Sequence, residues 1–206
     1  MKIGIIGGTF DPIHFGHLRS ALEVKEGLGL KRVLFVPSFM PPHKPKLTLT
    51  PFPHRVNLLE IAIKGLDSFE CCTIEEDLPI PSYTVNTLAA LSRHYEKGGE
   101  LYFLMGSDAF FDLTTWHDYK KIMEYAKLVV MVRDLNKEAE IAPFAKLHFP
   151  SHLEAGRIIP FEVTHMAISS SMIREILRAG RSPIYLLPRE CIKYMEEYGI
   201  NYGRNR

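Results

Sequence analysis

Two histidines, His14 and His17, stand three residues apart at the end of a glycine-rich stretch, Gly7-Gly8-Thr9-Phe10-Asp11-Pro12-Ile13-His14-Phe15-Gly16-His17. Imidazoles at such a place can meet developing negative charge, and glycines let a backbone come close to an anion. Lys2-Ile3-Gly4-Ile5-Ile6 just before reads as a short buried strand. Residues 17–26 read as an amphipathic helix that Gly27 and Gly29 end. A strand, a tight loop and a helix N-terminus with unpaired N–H groups together make a phosphate site. Gly7, Gly8, Thr9 and Phe10 would supply its backbone, and His14 and His17 its side chains. The loop is neither GxGxxG, because Ile6 stands where a glycine is needed, nor a P-loop, which requires a Gly-Lys-Ser/Thr ending. Helix capping and metal ligation are the competing roles for the pair. No nearby Cys or carboxylate pair completes a metal site, so none is assigned.

A second group of donors lies near the other end, in Ile168-Ser169-Ser170-Ser171-Met172-Ile173-Arg174. In a helix from Ser170 to Ala179, residues 170, 171, 174 and 178 share one face. Met172, Ile173, Ile176 and Leu177 share the other, toward the core. Hydroxyls and free N–H groups at the helix start, with Arg174 one turn in, form an anion clamp. Alone, the segment serves equally well as an N-capped amphipathic helix with a solvated arginine.

These groups need a scaffold, and the pattern of the chain supplies one. Arg32–Val36, Phe69–Ile74, Glu100–Met105, Leu128–Val132 and a shorter run at Ile158–Pro160 read as further strands. Helices are expected over Arg55–Lys64, Thr84–Glu96, Asp118–Tyr125, Ser170–Ala179 and Arg189–Tyr198. Residues 37–53 carry six prolines and 75–83 are a second proline-containing loop, while 134–156 resist assignment. Strands that are continuous apolar runs, alternating with helices, imply an α/β fold: a Rossmann-like, doubly wound parallel sheet with helices on both faces. Ligands on such sheets sit beyond the carboxyl ends of the strands, at the switch point. With 206 residues and no credible linker, residues 1–206 are expected to form a single domain, C-terminal helices at about 170–198 included.

Composition narrows the function classes. Apolar residues at 46% and charged residues at 24% are ordinary for a globular protein, and a net charge of +1 speaks against a nucleic-acid partner. No apolar run approaches the roughly 20 residues that span a bilayer, and residues 1–6 are too short for a secretory leader. Three cysteines, two of them adjacent at Cys71-Cys72, suit free thiols in a cytoplasmic protein. Oligomeric state is left open, a homo-oligomer included.

The Gly8–His17 segment resembles the signature of the nucleotidyltransferase superfamily with the HxGH motif, whose two histidines stabilise the phosphates of a nucleoside triphosphate. The family's second motif, Ile-Ser-Ser-Thr-x-Ile-Arg, is matched by Ile168–Arg174, with Ser171 keeping the hydroxyl of the usual threonine. Within the superfamily, Pro41-Pro42-His43-Lys44, Ser82–Leu88, Gly106-Ser107-Asp108-Ala109 and Trp116-His117 resemble the nicotinate-mononucleotide adenylyltransferases. Asn86 stands where that family commonly has Asp. The match runs from residue 1 to about 198, through Tyr185-Leu186-Leu187-Pro188.

The resemblance implies transfer of AMP from ATP to nicotinate mononucleotide, giving deamido-NAD and pyrophosphate, with Mg²⁺ carried by ATP. It places His17 nearest the α-phosphate, with His14 beside it, and Lys44 and Arg174 on the leaving β- and γ-phosphates. Gly106, Asp108 and Ile168 to Ser171 join Gly7 to Phe10 around ATP, with Asp108 accepting from ribose hydroxyls unless it only caps the next helix. For the pyridine nucleotide, Trp116 can stack on the cationic ring, although the chain's only tryptophan could equally be core. Ser82 joins the substrate-binding residues, and the helix opening at Tyr83-Thr84 offers N–H groups and a dipole that favour a carboxylate over an amide. Arg133 is a phosphate contact or a surface ion pair. His43, His54, His94 and His148 have no motif support. A sister enzyme acting on another acceptor (nicotinamide mononucleotide or phosphopantetheine) and a non-catalytic nucleotide sensor are the rival readings.

Overall fold

β1, Lys2–Gly8, sits in the middle of the molecule, with Ile3 to Ile6 buried. The computed structural model describes residues 1–42, 49–95, 98–133 and 135–203. The other strands are β2 (Arg32–Pro37), β3 (Phe69–Cys71), β4 (Glu100–Gly106), β5 (Lys127–Val132) and β6 (Ile158–Glu162). All neighbours pair in parallel, in the order β3-β2-β1-β4-β5-β6. The connection reverses direction between β1 and β4, so the loops after these two strands diverge and leave a crevice at their carboxyl ends. In register, Gly7 stands opposite Val36, and Ile6 opposite Phe35 and Leu104.

Alternation along the strands feeds two cores. Ile3 and Ile5 of β1, Leu101, Phe103 and Met105 of β4, and Val130 of β5 point to one face. There they meet Leu88 of α3 (Thr84–His94), Phe110 of α4 (Ser107–Phe111), Met123 of α5 (Tyr119–Tyr125) and Ile141 of α6 (Leu135–His148). Ile6, Leu104 and Val129 point the other way. On that side lie Val24 of α1 (Phe15–Leu28), Leu58 of α2 (Phe52–Ile63), Ile173 of α8 (Ser170–Arg178) and Cys191 of α9 (Arg189–Glu197). The chain therefore crosses the sheet twice, and after β6 it returns to the face of α1.

Several boundaries differ from those read in sequence. α1 starts at Phe15, not residue 17, and Gly27 lies inside it. A Cβ on Gly27 would come within 2.4 Å of the Phe161 ring, so packing on β6, not helix termination, requires glycine there. Gly29, at φ +64°, is the stop. The proline-rich stretch is shorter than 37–53 because α2 begins at Phe52, with Pro51 as its cap and Pro53 in the first turn, where the missing N–H is not needed. β3 ends at Cys71 instead of Ile74, and the chain turns into a 3-10 helix at Ile74–Asp77. That turn buries the Glu75 carboxylate, which accepts from the Phe39 N–H at 3.0 Å and the Thr87 hydroxyl at 2.8 Å.

Within the unassigned region 134–156 lie two helices, α6 and α7 (Pro150–Glu154), despite Pro143 inside α6. β6 continues past Pro160 to Glu162, and as an edge strand it tolerates a residue without an N–H. In α8 the face assigned to the core is only partly covered: Ile173 is fully buried, while Met172, Ile176 and Leu177 are half-buried.

Candidate active site

The two motif segments, far apart in sequence, meet beyond the carboxyl end of β1. The guanidinium of Arg174 donates to the main-chain carbonyl of Asp11 at 2.6 Å, and the Ser170 hydroxyl to the carbonyl of Pro12 at 2.9 Å. Arg174 also donates to the Ser171 hydroxyl at 3.1 Å, so its head is oriented from two sides. Ser169 is the N-cap of α8, its side chain accepting from the Met172 N–H.

His14 occupies the N-cap position of α1 with extended backbone, but its side chain makes no capping bond. Its ring instead stacks on His17, with centroids 3.7 Å apart and planes 28° from parallel. Phe10, at φ +46°, turns the loop in the left-handed region and sets its ring edge-on to His17 at 5.2 Å. Gly16 explains the glycine between the histidines: a Cβ there would stand 3.0 Å from two atoms of the His14 ring. One expected donor at this helix start is already used, since the Phe15 N–H goes to the Leu186 carbonyl at 3.0 Å.

The electrostatics are unusual. The Nδ1 atoms of His14 and His17 are both buried with no hydrogen-bond partner among the described residues. Burial, and after it the Arg133 guanidinium, lowers His14 to about 4. Burial, then the neighbouring His14, then Arg133 hold His17 well below its ordinary range. Both rings are therefore neutral at pH 7, as two stacked cations would repel strongly in a desolvated site. Arg133 lies at the carboxyl end of β5, within electrostatic reach of both.

The loop rests on a buried charged cluster that the sequence reading did not single out. Asp11 is fully buried, and its carboxylate accepts from the Thr50 N–H at 3.3 Å and the Tyr202 hydroxyl at 2.9 Å. Arg55, 2% exposed, donates to the carbonyls of Thr9 at 2.8 Å and Thr50 at 3.0 Å. No local pattern marks these residues, because their partners are distant in sequence.

On the other side of β1 a cavity of about 160 Å³ opens between Gly7, Gly8, Ser82, Thr84, Phe103 and Trp116. It has room for one ring, far less than a whole dinucleotide requires. Trp116 is half-buried and meets Phe103 edge-on at 6.4 Å. Ser82 is clamped to Met40, its hydroxyl accepting the Met40 N–H at 3.0 Å and its N–H donating to the Met40 carbonyl at 2.8 Å. Thr84 opens α3, where the Asn86 N–H is already taken by the Tyr83 carbonyl at 2.9 Å, so Thr84 and Val85 hold the first N–H groups of the helix. Tyr83 stacks on His117 at 4.2 Å, a pairing not anticipated, which ties this opening to the Trp116 segment.

Gly106 ends β4 as the N-cap of α4, where an added Cβ would meet nothing within 4 Å, and Asp108 is exposed in the first turn. Lys44 and His43 lie outside the described residues. A larger hollow of about 360 Å³ between α8 and α9 shares no lining residue with this site. Among the described residues no three His, Cys, Asp or Glu side chains converge as a metal site.

Comparison with known proteins bears on the family and the fold. The sequence pattern of the cytidylyltransferase-like family matches residues 5–176. The chain is 38% identical to the probable nicotinate-nucleotide adenylyltransferase of Shewanella sp. (strain W3-18-1), covering 96% of this chain and 97% of the relative. It is also 38% identical to the protein of the same name from Hydrogenovibrio crunogenus, covering 96% of each. Among solved structures, Plasmodium falciparum nicotinic acid mononucleotide adenylyltransferase complexed with APC superposes with a TM-score of 0.77 at 20% identity, over 97% of this chain and 96% of that one. The same enzyme complexed with NaAD gives the same score. At that identity these two speak for the fold.

Proposed function

Because the chain belongs to the cytidylyltransferase-like family, and within it to the nicotinate-nucleotide adenylyltransferases, we propose that it transfers AMP from ATP to nicotinate mononucleotide. The products are deamido-NAD and pyrophosphate, a step of NAD biosynthesis. The observation that carries the reading is the convergence of Arg174 and Ser170 on the carbonyls of Asp11 and Pro12, beside the His14–His17 stack.

The chemistry asks little covalent work of the protein. A phosphate monoester has a second pKa of about 6, so the acceptor is already largely ionised at neutral pH. No general base or covalent intermediate is needed. The enzyme holds two polyanions in line and offsets charge as pyrophosphate leaves. His14 and His17 take the ATP phosphates, His17 nearest the α-phosphate. Arg174 and Lys44 hold the β- and γ-phosphates, and the backbone of Gly7 to Phe10 and the Ile168–Ser171 segment complete the cradle. Gly106 and Asp108 take the adenosine.

The neutral state of the histidines fits this task. A buried neutral pair can receive a polyanion and become protonated against it, which two preformed cations packed together could not do without cost. Donors here are imidazoles, guanidinium and hydroxyls, and among the described residues no carboxylates converge as a metal site. A Mg²⁺ would therefore be held by the ATP phosphates and water, where it would neutralise triphosphate charge.

The pyridine ring enters the cavity against Trp116, and the opening of α3 at Tyr83-Thr84 favours the nicotinate carboxylate over a neutral amide. Ser82 holds the neighbouring backbone, and Arg133 serves the nucleotide phosphate. The reading treats residues 1–206 as one domain, since α8 and α9 share a core with β1. It places the enzyme in the cytoplasm, in keeping with three free cysteines, of which burial raises the Cys71 and Cys191 thiols to about 12. No described helix is long and apolar enough to cross a membrane. Near-neutral charge gives no footprint for a nucleic-acid partner.

Incubation with ATP, Mg²⁺ and either pyridine mononucleotide, followed by identification of the dinucleotide, tests the proposal. Deamido-NAD with the nicotinate substrate is expected. Product only with nicotinamide mononucleotide or phosphopantetheine would reassign the acceptor, and no pyrophosphate release with any acceptor would sink adenylyl transfer.

A further inference from the structure

Asp11 stands three residues before His14, and three groups from elsewhere converge on it. Its main-chain oxygen receives Arg174, and its carboxylate receives Thr50 and the hydroxyl of Tyr202. Tyr202 lies beyond α9, in a segment that packs no strand or helix of its own. It is held at φ +56°, a conformation costing a tyrosine about 1–2 kcal/mol. Contacts hold it there: Arg178 donates Nε to its carbonyl at 3.0 Å, and its ring lies 6.0 Å from the Arg174 guanidinium. Burial, then the Asp11 carboxylate, push the phenol far up, so the hydroxyl stays a donor at any working pH.

We propose that Tyr202 is a positioning residue for adenylyl transfer, fixing through Asp11 the loop that carries His14 and holding Arg174 in its working orientation. The inference rests on the reading of Arg174 as a phosphate contact. Asp11 is the residue that joins the histidine loop to the Arg174 anchor, beside the Arg55–Thr9 and Ser170–Pro12 contacts that also hold the loop. A shift there displaces both halves of the phosphate clamp together, whereas the Trp116 cavity meets that loop only at Gly7 and Gly8, where β1 ends, and is otherwise walled by other elements. A residue serving stability alone would show no such selectivity.

The test is Tyr202→Phe, which removes one oxygen and keeps the ring. Turnover should fall by about tenfold, since even a 1 Å misplacement can cost a hundredfold. The KM for nicotinate mononucleotide should stay within about twofold and Tm within about 3 °C. In an Arg174→Ala background the same change should cost clearly less kcat than in the parent, only the part that passes through the histidine loop remaining. Unchanged kcat, parallel loss in both substrates together with Tm, or full multiplicative loss in the Arg174→Ala background would each overturn the proposal. Normal turnover of Arg174→Ala itself would remove the phosphate reading and this inference with it, whereas a crippled Arg174→Ala beside a normal Tyr202→Phe removes only the latter. Should Tyr202→Phe fail to fold, Arg178→Gln, which loosens the same segment from its carbonyl, must show the same kcat-against-KM split or the proposal falls.

Discussion

Arg174 donates to the main-chain oxygen of Asp11 at 2.6 Å although 163 residues separate the two in sequence. A guanidinium bonded to a carbonyl is a charge-assisted contact, stronger than a neutral one. It joins the helix that follows the last strand to the loop that follows the first. This contact and its neighbour from Ser170 bring the two motifs into one group, the phosphate clamp of the proposed reaction.

Removing the imidazole proposed to lie nearest the α-phosphate should separate catalysis from folding. His17→Ala is expected to lower kcat by about a hundredfold to a thousandfold, while circular dichroism and Tm show an intact fold. Near-normal turnover would take His17 out of the mechanism.

Gly16→Ala offers the converse case. Alanine is favoured over glycine within a helix by about 1 kcal/mol, so stability should hold or rise. Its Cβ, however, would stand 3.0 Å from the His14 ring and force the imidazole stack to move. Turnover should drop by about tenfold or more with Tm unchanged or higher. A variant as active as the parent would mean the stack geometry does not matter.

Acid stability should report the buried histidines. His14 titrates near 4 when folded and near 6.5 when unfolded, and His17 is held low by the same burial. Between those values the unfolded chain binds more protons, so stability is full above pH 6.5 and falls as pH drops toward 4. His14 alone would account for up to about 3 kcal/mol of that loss. Urea midpoints measured across this window should fall steeply for the parent and less for His14→Gln. Equal slopes would assign the loss to other groups.

Triphosphate binding should raise those same imidazoles, because an anion favours their charged form. Calorimetry of ATP binding at about pH 6, in two buffers of different ionisation enthalpy, should reveal net proton uptake that disappears well above neutrality. The absence of any uptake at the lower pH would show that the histidines remain neutral against the phosphates.

Trp116→Ala should act on one substrate. Loss of a stacking contact worth about 1–2 kcal/mol predicts a KM for nicotinate mononucleotide raised by roughly tenfold, with that for ATP little changed. Equal effects on both would place Trp116 in the core and not in the site.

Much of this protein could be read along the chain. The buried apolar runs of β1, β2, β4 and β5, the glycine loop with its paired histidines, and the Ser170 helix are local patterns, set by a residue's neighbours within a turn or a strand. Parallel order, and with it a site beyond the strand ends, follows from the alternation of those runs with helices. Other features depend on partners far away. Gly27 looks like a helix terminator until the Phe161 ring is seen against it. Residues 135–154 show too weak a periodicity, interrupted by Pro143, to announce helices that only packing against Phe110 secures. Asp11, Arg55 and Tyr202 carry no motif because burial and distant carbonyls give them their role. The neutrality of His14 and His17 arises in the same way: a sequence fixes where an imidazole stands, whereas its charge is decided by how much water the folded chain leaves around it.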